Sequence, residues 1–144
     1  MINQPGAQLR DLAIRIATHV LPDMNTAYGQ ADAGLISGLL MALAQDFERA
    51  AFNRMADIEE IQQIFKVAKI NHPGLPADQD MEAFSERAPA SLHLQDLDQL
   101  HARGFELLID LHTWAEANNP ELNQSIWSLL RRHSERNKFE VGGP

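Results

Sequence analysis

One carboxylate and two histidines on a single helical pattern carry the clearest chemistry in this sequence. Asp98 and His101 lie one turn apart, and His112 falls three turns further along on nearly the same side. A carboxylate–x–x–histidine pair on one helix face is half of the ligand set of a carboxylate-bridged di-iron bundle. Such a site needs a second pair of the same kind, and no other Asp/Glu-x-x-His occurs in the chain. What remains is a mononuclear centre for a divalent metal of the zinc, iron or nickel type, completed by His19, His93 or His133. Six histidines spread over a helical chain also produce pairs at this spacing by chance. The sequence implies no other cofactor.

Two further groups stand out. Asp46, Arg49 and Asn53 form a polar line beside an apolar stripe, and Arg54 lies on the stripe itself. Asp46, Arg49 and Arg54 would line a small-ligand pocket if a second helix covered them, and a solvated flank if none did. Arg54 needs a carboxylate or an outward path, and Asp57 is the nearest acid along the helix. Met41, Phe52 and Met55 project away from the stripe, which predicts either a second covered face or the seam of a homodimer.

Other chemistries find little support. With no cysteine there is no disulfide, thiolate nucleophile or thiolate metal site. The serines lack an elbow or a base at useful spacing. In His101-Ala102-Arg103-Gly104, the basic residue and the glycine follow the histidine by two and three positions. The phosphotransfer histidine of four-helix phosphorelay domains has them at three and four, and Leu100 stands where that pattern has a small residue. A formal net charge of −8, with the acids dispersed, argues against a nucleic-acid surface.

These residues must be positioned by helices. From Asp32 to Lys69, the residues Ile36, Leu40, Leu43, Phe47, Ala50, Ile58, Ile61, Phe65 and Ala68 stay on one stripe at ~100° per residue. This predicts one long helix capped by Asp32, with a possible break near Ala56, where Asp57-Ile58-Glu59-Glu60 has the form of a new cap. A helix over 7–21 precedes it, bounded by Pro5-Gly6 and Pro22. Residues 23–31 read as a connector. The Asn71–Pro76 run ends the long helix, and a short helix over 78–87 follows within a segment long enough to act as a lid or a crossover. Ser91 caps a helix over 91–118, with Gly104 at a close helix–helix contact. Asn119-Pro120-Glu121 opens a last helix over 120–138. The Gly142-Gly143-Pro144 end is expected to fray.

The expectation is a single all-α domain, an up-and-down bundle of four main helices plus one short one. The longest uncharged run, Ala33 to Gln45, is about thirteen residues, short of the ~20 that cross a bilayer. With no secretory pattern at the start, a cytoplasmic protein that does not enter the membrane is expected. Three functions stay open: an interaction module without enzymatic activity, acting as a homodimer or on an unknown protein partner; a metal-binding bundle or metal enzyme using Asp98, His101 and His112; and a small-ligand binder around Asp46, Arg49 and Arg54.

Overall fold

The computed structural model describes residues 4–140, so the Gly142-Gly143-Pro144 end lies outside the described residues. The fold is all-α, with no strand among the described residues. Its helices are α1 (Pro5–Arg15), α2 (Ala27–Asn71), α3 (Asp78–Ser85), α4 (Leu94–Asn118) and α5 (Pro120–Arg136). The chain packs as two compact units. One holds the described residues up to Ala50 together with Phe139 and Glu140; the other is Ala51–Lys138. α2 contributes to both.

In the first unit, Pro5 occupies the first turn of α1, where its missing N–H costs nothing. The α-helix ends earlier than the sequence pattern predicts. Ile16–Val20 forms a π-turn, and Leu21–Asp23 a 3-10 turn with Pro22 in it. Pro22 cannot donate to a helical ladder, and the wider turn accommodates its ring. The expected connector of residues 23–31 is shorter, because the Thr26 hydroxyl accepts from the Gly29 N–H at 3.0 Å and starts α2 there. Asp32 is therefore inside the helix and not its cap. Gly29 is a helical residue, and a Cβ on it would sit 2.9 Å from Thr26 Oγ1.

α1 and the first half of α2 pack through small residues. Ala13 is fully buried, and its carbonyl accepts from Ser37 Oγ at 2.8 Å. A Cβ on Gly6 would meet Glu48 Oε1 at 3.0 Å. Ala33, Ala44 and Ala50 complete the buried apolar set of this unit, which holds no large apolar side chain among the described residues. The predicted core positions Ile36, Leu43 and Phe47 are half or more exposed. The reason is geometric: α1 lies against the Ala33–Ser37–Ala44 side of α2, and the leucine-rich side is left uncovered.

The second unit has an ordinary core. Ile58, Ile61, Phe65 and Ala68 of α2 are buried with Leu97, Leu100, Leu107, Leu108 and Leu111 of α4, Leu122, Ile126 and Leu129 of α5, and Met81 and Phe84 of α3. Phe65 and Phe84 meet edge to face, with centroids 5.7 Å apart. Gly104 is required where α4 passes α3, since a Cβ there would come within 2.6 Å of Phe84 Cζ. The segment offered as a lid is pinned to α2: Gln62 Nε2 donates to the carbonyls of Phe84 and Arg87 at 3.0 and 2.8 Å. Asn119 caps α5 as its sequence predicts, accepting from the Leu122 N–H at 2.9 Å. α4 starts at Leu94, three residues after Ser91. The Ser91 hydroxyl accepts from the His93 N–H and donates to Asp96 just ahead of it.

Candidate functional site

The long α2 runs through Ala56 without a break, and the residue that reads as a cap in sequence has another role. Asp57 follows Ala50 by seven positions and precedes Ile61 by four, so it stands on the buried stripe, and its side chain is 0% exposed. Isolated, such a carboxylate would be held neutral by the cost of removing its charge from water. Here three side chains from two other helices converge on it. His101 Nε2, from α4, lies 2.9 Å from Oδ2. His133 Nδ1, from α5, lies 2.6 Å from the same oxygen. Arg136, one turn beyond His133, donates to Oδ1 from Nη2 at 2.6 Å and from Nε at 3.2 Å.

The network continues outward. Arg136 Nη1 donates to Glu60 Oε1 at 2.7 Å, and Arg132 Nε to Glu60 Oε2 at 2.8 Å. Asn53, also buried, donates to the Arg136 carbonyl at 2.9 Å. The Phe105 ring packs against both imidazoles, with centroids 4.7 Å from His101 and 4.9 Å from His133. Together α2, α4 and α5 hold one anion in a largely apolar interior.

The electrostatics follow from these contacts. Burial alone would raise the Asp57 pKa. Hydrogen bonds from His101, Arg136 and His133 outweigh it and bring the value to about 2. Glu60 is also pushed below its ordinary value, since bonds from Arg132 and Arg136 overcome its own partial burial. Burial works against the Arg136 charge, but its bonds to Asp57 and Glu60 prevail and raise its pKa. A carboxylate only accepts, so each imidazole nitrogen facing Oδ2 carries a hydrogen.

The residues singled out from the sequence are distributed differently. Of Asp98, His101 and His112, only His101 enters this cluster. Asp98 pairs with Arg54 Nε at 2.8 Å, so Arg54 meets that acid and not Asp57 as expected. His112 Nε2 lies 2.9 Å from Asn123 Oδ1, and its ring stands edge-on to Trp127. Asp46 and Arg49 belong to the first unit, where Arg49 donates to Gln45 Oε1 at 3.2 Å, while Arg54 belongs to the second. Met55 packs against the core of the second unit, Phe52 is 72% exposed, and Met41 is half-buried in the first unit. The sequence offers His101 and His133 for one centre but hides Asp57, which has the form of a cap. Its place on the apolar stripe was the available signal, together with His133 continuing the Ile126–Leu129 seam.

A second surface lies in the first unit. Leu35, Ile36, Leu39, Leu43 and Phe47 occupy neighbouring positions on one side of α2, and each is 50–63% exposed. On α1, Leu12 and Ile14 are also about half exposed. No helix is long and apolar enough to cross a membrane among the described residues.

No family model matches the sequence, and neither a curated protein nor a solved structure was found to match it.

Proposed function

We propose that this protein is a helical interaction module that docks a second copy of itself through the Leu35–Phe47 side of α2. The observation that carries this is the inverted burial of the first unit, whose buried apolar side chains among the described residues are alanines, while Leu35, Ile36, Leu39, Leu43 and Phe47 are half or more exposed. Contiguous apolar surface of this kind marks a contact site. A standard interface buries ~800 Å² per partner, and these five side chains would form the apolar centre of one.

A second copy is favoured over another partner because the face complements itself. Leu35, Leu39 and Leu43 form a ridge at four-residue spacing. Gly34, Gly38 and Ala42 form a shallow row beside it, and nothing lies within 4 Å of where a Cβ on Gly38 would be. The ridge of one copy can enter the row of the other by the commonest helix-packing mode. No charge falls between Ala33 and Gln45, so the middle of the seam is uncharged, with Asp32 and Asp46 at its two ends. This moves the seam away from Met41, Phe52 and Met55, since Met55 is already engaged in a core.

Sedimentation velocity tests the reading. The wild type is expected to run at twice the chain mass at micromolar concentration, and Leu39→Glu at the single-chain mass with unchanged helical circular dichroism. A wild type of one-chain mass at that concentration rejects it, as does a dimer that Leu39→Glu leaves intact.

A further inference from the structure

We propose that Asp57, His101 and His133 form a binding site for one divalent first-row transition ion, with Asp57 Oδ2, His101 Nε2 and His133 Nδ1 as its protein ligands. The site lies wholly in the second unit and does not depend on the docking reading. Three donor atoms from three helices lie within 4.8 Å of one another. Metal–ligand bonds of about 2.0–2.2 Å hold neighbouring ligand atoms roughly 3–3.5 Å apart. The present N···O separations of 2.9 and 2.6 Å therefore need to open by less than about 1 Å.

The donor types define the ion. Two imidazoles and one carboxylate suit zinc, cobalt or ferrous iron and offer nothing special to calcium or magnesium, which take oxygen ligands. Three protein ligands leave further positions for water. Arg136 supplies the outer shell: by holding Oδ1 it fixes the carboxylate plane, so that Oδ2 alone is presented to the ion. The protons balance within the site. When each imidazole is neutral, the hydrogen that now faces Oδ2 moves to the other ring nitrogen, and the freed lone pair binds the metal. No proton need leave the site, and Asp57 remains a carboxylate. The guanidinium beside it opposes the ion's charge, and Glu60, bonded to that guanidinium, offsets the opposition.

The test uses the full chain without a histidine tag, stripped by chelator and titrated with Co²⁺ alone and then with Zn²⁺. One equivalent of Co²⁺ should bind with visible ligand-field bands, and Zn²⁺ should displace it. His101→Gln and His133→Gln should each weaken Co²⁺ binding tenfold or more. His112→Gln, outside the site, should leave it unchanged. Circular dichroism establishes that each variant is folded. His133 is the more exposed of the two ligands, so its variant decides the matter should His101→Gln unfold. Absence of stoichiometric Co²⁺ uptake by the wild type overturns the proposal. So does uptake that survives in a folded His133→Gln.

Discussion

The same helix behaves in opposite ways in the two units. Between Ala51 and Asn71, α2 buries Ile58, Ile61 and Phe65 almost completely and carries one charged residue, Asp57, into the core with them. Between Ala27 and Ala50 it carries no less apolar a stripe, but its buried positions are alanines, and Leu35, Leu39 and Leu43 are exposed. The difference lies in what faces each half. α4 and α5 bring leucines at matching spacing to the second half. The short α1 approaches the first half on a side of small residues, where backbones come close and large side chains do not fit. An amphipathic pattern thus fixes which residues share a face, and not whether the chain's own helices cover it. The second unit is held by its own contacts, down to a buried ion cluster; the first presents its best apolar surface outward.

The strongest way to sharpen this contrast is to remove Asp57. Asp57→Ala leaves Arg136 partly buried without its main partner and should destabilise the second unit by about 3–5 kcal/mol, as breaking a buried pair does. Both tryptophans, Trp114 and Trp127, lie in that unit. Urea unfolding followed by tryptophan fluorescence therefore reads the loss directly. A change below about 1 kcal/mol would mean that the cluster contributes little and the apolar core alone holds the unit.

Acid should reproduce part of that effect. The folded-state pKa of Asp57, about 2, lies below its ordinary 3.8. Its contribution is present above about pH 4 and is lost as the pH falls towards 2. The shift corresponds to on the order of 2 kcal/mol. Urea midpoints by tryptophan fluorescence should decline over that window in the wild type. In Asp57→Asn, which does not titrate, the decline should be correspondingly shallower.

The smallest expected effects are a pair of glycine substitutions of opposite sign. Gly104→Ala drives a Cβ against Phe84 in a packed contact and should cost about 1–3 kcal/mol. Gly38→Ala meets nothing within its own chain. At dilutions where the chain is single, it should raise stability by about 0.5–1 kcal/mol through helix propensity alone. Thermal unfolding at low and high concentration measures both. A gain from Gly38→Ala that does not shrink at high concentration would speak against that row as a packing surface.

Much of the architecture could be read along the chain. Helical periodicity, the Pro5 start, the Asn71–Pro76 stop and the Asn119-Pro120 start are local signals, set by backbone sterics and by hydrogen bonds spanning a few residues. They fixed the all-α class and the starts of α3 and α5. Gly104 as a close contact was also legible, because a lone glycine on a leucine-rich face has few other uses. Where local signals competed, the sequence misled. Asp57-Ile58-Glu59-Glu60 satisfies a capping pattern, and Asp32 can cap a helix as well as Thr26 can.

The pairings were decided only in three dimensions. Whether Asp57 caps a helix or anchors a core depends on side chains 44 and 76 positions away along the chain, and no local rule carries that information. Arg54 took Asp98 over the nearer Asp57 because Asp57 was already held from α4 and α5. His101 and His112 share a helix face in sequence, but the helices opposite them differ, so one meets a buried carboxylate and the other an asparagine. Period and propensity act over a turn or two and determined the elements. Desolvation and ion pairing act across packed helices, and they selected which of the chain's charged residues would meet.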